Sequence, residues 1–396
     1  MKNLLLVLSL VIVASPAFAS RARLESLGEG KNGSYFVNDS RDIFLNPAAI
    51  NSYKKKLFLE LGTASGAVDT SAASKAQGGF TNTFGDFTYG LYLGRESDRA
   101  ANAVVTANTI LGANTFIASD HAFDFFFGGE TGIKWGADVF YAGALDQNSL
   151  VAGTKKTASL FGIKLGVDLN NINIFTTLGL SSDTKNATAS TTTDSELKGN
   201  LSLDAAVTYN SGDMTYFAKF TNFSSDLTSG TAAGVAGATI TPTTTAYGIG
   251  TGWKHEATKS VTMFSRFEID YQKNNTKTVT AAGVESDSST TSYNLPIVLA
   301  AEAQATSWLS VRGSVSHSLL GQSQTSGSAK TSYDNMTTVA AGLGFNFGDL
   351  TIDTLFGQSA ALAGAASEAS QGTVQAGNTA GFGDNFASRI AMTYNF

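Results

Sequence analysis

The 396-residue chain has no cysteine, four prolines and few charged residues, 15% of the total. Without cysteine there can be no disulfide bracing and no thiol for a lipid anchor. Beyond the first twenty residues no stretch approaches the roughly 18 apolar residues of a transmembrane helix, so a helical membrane protein is excluded. The net charge of −6, with no basic cluster beyond Lys54, Lys55 and Lys56, argues against a nucleic-acid partner. Only His121, His255 and His317 could serve as imidazole bases. His317 lies between Ser316 and Ser318, but no third group completes a hydrolytic triad. There is also no metal-ligand spacing and no phosphate-cradling glycine loop, so no enzymatic activity, cofactor or metal is expected.

What is present begins with MKNLLLVLSLVIVASPAFA, a lysine followed by an apolar run and small residues at Ala17 and Ala19. This pattern predicts a secretory signal peptide over 1–19, cleaved after Ala19. The rest is rich in Gly, Ser, Thr and Phe, the composition of one large β structure rather than two mixed domains.

From Leu57 onward one theme repeats: about ten residues of apolar/polar alternation, a very short turn, a second such stretch, then a long polar loop. In SVTMFSRFEIDY, Val261, Met263, Phe267, Ile269 and Tyr271 share one face and Thr262, Arg266, Glu268 and Asp270 the other. Strands are predicted over 57–65, 77–84, 87–96, 121–128, 131–145, 154–168, 172–182 and 195–209. Others follow over 213–224, 242–256, 260–274, 289–304, 307–320, 335–347, 350–358 and 386–396. Tight turns fall at Gly85 and Asp86, Gly129 and Glu130, Asn170 and Asn171, Ser211 to Asp213, Thr258 and Lys259, Thr306, and Gly348 and Asp349.

Strict alternation of short and long connections marks an all-β transmembrane antiparallel barrel, with short periplasmic turns and long extracellular loops. About sixteen strands are expected, with fourteen or eighteen as alternatives; a hairpin hidden in 97–120 would give eighteen. Pro296, inside a strand, predicts a bulge or break.

A charge on the lipid-facing side would cost about 2–4 kcal/mol near the bilayer centre. The expected inward set is accordingly Glu60, Asp124, Lys134, Asp138, Lys164, Asp168, Lys198, Asp204, Lys219, Lys254, Arg266, Glu268, Asp270, Glu302, Arg312, Asp353 and Arg389, eight basic and nine acidic. Arg95 and Glu96 fall at a strand end. Inward apolar residues are few: Phe58, Phe126, Phe140, Phe175, Phe217 and Leu355. Outward aromatics gather near the short turns (Phe84, Phe87, Phe127, Tyr209, Trp253, Trp308, Phe347, Tyr394 and Phe396), as an interfacial girdle would.

A barrel of this size is too wide for side chains to fill. The first expectation is an outer-membrane porin, a water-filled channel for passive diffusion of small hydrophilic solutes and ions. Its wall would be lined by the charges from Lys134 to Arg389, and by analogy with barrels of this size it would be a homotrimer in outer-membrane lipid. Strong ion selectivity is not expected from so balanced a wall.

Residues 20–56 do not alternate. In DIFLNPAAINSY, Asn46 can cap a short helix begun by Pro47. The residues Asn46, Pro47 and Ala48, just ahead of the first strand, resemble the Asn-Pro-Ala motif in the amino-terminal hatch of the long-chain fatty acid transporter family. That resemblance implies the alternative: a barrel plugged by 20–56 that passes hydrophobic compounds. The ending SRIAMTYNF places Ile390, Met392, Tyr394 and Phe396 on one face. It resembles the carboxy-terminal signature of Gram-negative outer-membrane barrels, which implies recognition by the barrel-assembly machinery.

Overall fold

A computed structural model of the chain describes residues 20–62, 75–96, 121–147, 155–187, 194–228, 237–325, 330–333, 337–358 and 389–396, together with 104, 107, 108, 116 and 117. The leader with its cleavage after Ala19, most of 97–120 and all of 359–385 lie outside the described residues.

The strands in chain order are β1 (Lys56–Gly62), β2 (Lys75–Phe84), β3 (Phe87–Glu96), β4 (His121–Glu130), β5 (Lys134–Gln147) and β6 (Lys155–Asp168). They continue as β7 (Ile172–Ala187), β8 (Ser195–Gly199), β9 (Ser202–Ser211), β10 (Met214–Thr228), β11 (Thr239–Thr258) and β12 (Val261–Val279). The last are β13 (Glu285–Gln304), β14 (Leu309–Thr325), β15 (Lys330–Tyr333), β16 (Thr337–Phe347), β17 (Leu350–Gln358) and β18 (Arg389–Asn395). All pairings are antiparallel and between staves adjacent in sequence, and β18 returns to β1, with Leu57 opposite Tyr394 and Leu61 opposite Ile390. β8 and β9 both lie between β7 and β10, and β15 and β16 both pair with β14, so each duo is one interrupted stave. The result is a closed antiparallel barrel of sixteen staves. Closure satisfies every stave's backbone groups within the wall, the condition for crossing hydrocarbon.

Alternation decides which face meets lipid. Leu57, Leu59 and Leu61, Phe123, Phe125 and Phe127, and Met263, Phe267 and Ile269 all point outward and are exposed. So much exposed apolar surface belongs in a bilayer rather than in water. All nine predicted girdle aromatics are exposed on this face, Phe84 at 79% and Phe347 at 58% among them. At the opposite rim Phe220, Tyr247, Tyr271 and Tyr293 form a ladder across β10 to β13, with centroids 5.2–6.1 Å apart. From Val261 to Tyr271 is ten residues, about 26 Å of height for a strand tilted about 40°. That matches the hydrocarbon band.

Above the ladder β11 to β14 continue as a polar ribbon. Residues 275–288, expected as loop, are largely strand: Lys277 pairs with Asp287 and Thr278 with Ser286. Thr, Ser and Asn fit a pleated strand with both faces in water, so composition alone did not distinguish it from a loop. The break expected at Pro296 is there, as a register shift between Asn294 and Pro296 opposite β14.

Two charges lie on the other side from the one their local alternation gives. Gly94 adopts φ +80°, and the β3–β4 register shifts between Leu93 and Arg95. The extra residue turns Arg95 inward. Lys198 sits on the short β8, where the interruption at Asn200 and Leu201 resets the parity. Leu197 is the buried residue there, while Lys198 is exposed and outward, opposite Asp183 and Asp226 near the loops.

Candidate functional site

The barrel interior holds residues 20–53. A six-residue helix, α1 (Arg21–Ser26), is capped by Ser20, whose Oγ accepts from Arg23 N. Two 3-10 turns follow, Ser40–Phe44 and Pro47–Ser52. The first is closed by a capping box: the Asp39 side chain accepts from Arg41 N, and the Asp42 side chain accepts from Asp39 N. The second starts at Asn46, whose Oδ1 accepts from Ala48 N at 3.1 Å, with Pro47 in the first helical position. The Asn-Pro-Ala residues thus form a compact capped turn.

That turn rests on glycine. A Cβ on Gly136 of β5 would stand 2.2 Å from the Pro47 carbonyl oxygen, and one on Gly166 of β6 would stand 1.9 Å from Asn46 Oδ1. Gly128 meets Ile50, Gly252 meets the Phe36 ring and Gly342 meets Ser26 in the same way. The inward glycines mark where the segment lies against the wall. In the sequence they read simply as small residues of a pleated face, because the mark becomes visible only once the inward parity and the segment's path are both known.

Ion pairs fix the segment to one arc of the wall, from β12 through β18 to β1. Arg23 bridges Asp39 at 3.3 Å and Glu302 of β13 at 2.8 Å. Arg312 of β14 joins that same Glu302 to Asp353 of β17, each at 2.5 Å. Glu25 takes Arg21 at 2.7 Å and Arg389 of β18 at 3.1 Å. Arg41 reaches Glu60 of β1, Gln77 of β2 and the Tyr92 hydroxyl of β3, with its guanidinium 4.4 Å from the Phe44 ring centroid. Arg266 of β12 pairs with Glu29 at 3.4 Å. Burial pushes Asp39 up to about 7, with Arg23 and the Arg41 N–H pulling it back, and burial likewise raises Glu29 against the pull of Arg266.

The fifteen charges expected to line a channel therefore divide. Asp138, Lys164, Glu268, Arg312, Asp353 and Arg389 are buried, none above 5% exposed. Asp138 pairs with Lys164 at 2.9 Å, and Glu268 with Lys219. Lys134, Asp168, Asp204, Lys219, Arg266, Asp270 and Glu302 are half-buried on the inward side, and Lys254 is exposed near the short turns. Lys198 faces outward, as described. Asp124, beside Asp138, is held by Arg95 through both oxygens at 2.8 Å.

Inward aromatics meet the segment's own. Tyr35 stacks on Phe217 at 4.7 Å and on Phe175 at 6.0 Å, and Phe44 packs edge-on to Tyr92 and Phe126. Two cavities share Asn32, Tyr35, Lys219 and Thr221. The larger, about 940 Å³, lies toward the loops, and Asp270, Gln272 and Ser316 give it polar walls. The smaller, about 350 Å³, is walled by Phe44, Phe140, Leu160 and Phe175, with Arg95, Lys164 and Asp204 at its edge. Nearer the loops, Val104, Ala107 and Phe116 pack on Leu197 and Leu227.

His317 Nδ1 lies 2.7 Å from Thr337 Oγ1, and His255 stacks on Trp253. Ile390 and Tyr394 of β18 and the terminal Phe396 just after it are exposed, with Met392 half-buried.

No protein-family model matches the chain, and no curated protein sequence does. Solved structures similar to it include the ferric yersiniabactin uptake receptor of Yersinia pestis, at 10% identity and TM-score 0.41, covering 76% of this chain and 54% of that one. This chain thus spans little more than half of that receptor. The toluene transporter of Ralstonia pickettii is similar at 12% identity and TM-score 0.37, covering 97% of this chain and 100% of that one. A FadL homologue of Pseudomonas aeruginosa is similar at 11% identity and TM-score 0.38, covering 96% and 98%.

Proposed function

We propose that the chain is a gated outer-membrane transporter whose hatch is the segment 20–53, and that it passes small compounds with an apolar body. The observation that carries this reading is the dryness of the wall beneath the segment. A freely diffusing pore keeps its wall charges in water, because an ionised group taken out of water without a partner is costly. Here six wall charges are buried and ion-paired, and the segment that covers them is anchored by its own ion pairs to β12, β13, β18 and β1.

The two cavities give the solute its character. A compound entering from the loops meets amides and hydroxyls first, then passes Tyr35 and Lys219 into a chamber of phenylalanine and leucine. The first chamber suits any small solute, whereas the second holds an aromatic or branched apolar body and gives little to a sugar.

Liposome swelling and planar-bilayer recording test the hatch. The intact barrel should neither admit a pentose nor conduct steadily, and Gly166→Leu, which drives a side chain into the Asn46 turn, should do both. Steady stepwise conductance by the intact chain would return it to the passive porin. For the solute, quenching of Tyr35 fluorescence by a small aromatic alcohol should saturate, and Phe140→Ser should abolish the saturation.

A further inference from the structure

We infer that cleavage after Ala19 makes the cation that locks the hatch: the new α-ammonium of Ser20 is received by Asp353 and Glu60, so the segment docks fully only in the processed chain. This rests on the signal peptide read in the sequence and on the docking geometry, and it is independent of which solute passes.

Ser20 is 3% exposed, deep inside the barrel. Its Oγ donates to Asp353 Oδ2 at 2.9 Å, and the next backbone N–H, that of Arg21, donates to Glu60 Oε1 at 3.2 Å. The other oxygen of each carboxylate is held by an arginine: Asp353 Oδ1 by Arg312 at 2.5 Å, and Glu60 Oε2 by Arg41 at 3.2 Å. A buried carboxylate of β17 thus accepts from the Ser20 side chain and one of β1 from the following backbone N–H, the two groups that flank the nitrogen of the first residue of the expected mature chain.

Hydrolysis of the Ala19–Ser20 bond places a hydroxyl on the Ala19 carbonyl carbon and a hydrogen on the Ser20 nitrogen, which then takes a proton from solvent. One neutral amide N–H becomes an ammonium with three donors, in a residue whose hydroxyl and following N–H already donate to two buried carboxylates. A buried carboxylate gains most from such a charged, hydrogen-bonded partner. The uncut chain offers no charge at this position.

The test compares full-length mature chains refolded into lipid that differ only at the Ser20 nitrogen. One carries the free amine, one is enzymatically acetylated, and one is transaminated to an α-keto acyl terminus, which removes the charge without adding bulk. Heat-dependent gel mobility reports the barrel, and trypsin cleavage after Arg23 and Arg41 reports the hatch. All three should form barrels. The acetylated and transaminated chains should be cut at least ten times faster than the free amine, and in an Asp353→Asn background the difference should shrink to under threefold. Equal protection of the free-amine and transaminated chains overturns the inference, as does an undiminished difference in Asp353→Asn.

Discussion

The lower and upper halves of the barrel interior carry the same alternation and different chemistry. Beneath the segment inward charges are dry: Asp138 is 0% and Arg312 2% exposed, each with its partner at hand. Toward the loops the same parity on β12 carries Asp270 and Gln272 to the wall of an open cavity. The difference is made by a segment remote in sequence, since Ser20 and Asp353 are 333 positions apart. Inward parity therefore says only that a residue avoids lipid. Whether it is a wetted wall or a buried partner depends on what fills the space in front of it.

The largest way to break this contrast is to remove one partner of the dry network. Arg312→Met leaves Asp353 buried without its arginine and Glu302 with Arg23 alone, and should cost about 3–5 kcal/mol, against almost nothing for Lys254→Met at the exposed rim. Urea unfolding of lipid-embedded barrel, read by gel mobility, measures both. On the outer face, Ile249→Arg in the apolar band should cost about 2–4 kcal/mol, whereas Thr243→Arg, above the tyrosine ladder on the same face, should be nearly neutral. Equal costs would mean the ladder does not mark the edge of the band.

The next effect is pH dependence of the hatch. Because Asp39 is pushed up to about 7 when buried, the docked segment prefers it protonated. Docking should be strongest near pH 4, the range of an ordinary carboxylate, and should weaken as pH rises through 7. Trypsin sensitivity of residues 20–53 should rise accordingly between pH 5 and pH 8, and Asp39→Asn should flatten the profile. Smallest is Tyr35→Ala, which removes the ring stacked on Phe175 and Phe217 and joins the two cavities. Its cost should be about 0.5–1.5 kcal/mol beyond lost area, with a shorter time constant for aromatic solutes.

Most of the fold could be read from period-two alternation: sixteen staves, the tight turns at one rim, the girdle beside them and the irregularity at Pro296. These are local signals, and hydrocarbon enforces them at every stave. The losses came where one residue resets the count. Gly94 turns Arg95 inward, and the interruption at Asn200 and Leu201 turns Lys198 outward, though neither residue type announces a change of face. The candidate site was harder. The capped turn at Asn46 and Pro47 was visible, but its seat on Gly136 and Gly166 was not, because a glycine that makes room for a distant backbone looks like any other glycine.

The claim at the centre is that residues 20–53 keep water from the lower wall, and the absence of native cysteine allows a direct measurement. Ser314, 6% exposed beside Gly28, and Ser316, on the wall of the larger cavity, are two residues apart on the same face of β14. In the intact barrel a water-soluble maleimide should label Ser316→Cys quickly and Ser314→Cys at least tenfold more slowly, and deleting 20–53 should make the rates equal. Rapid labelling of Ser314→Cys in the intact chain would contradict the account.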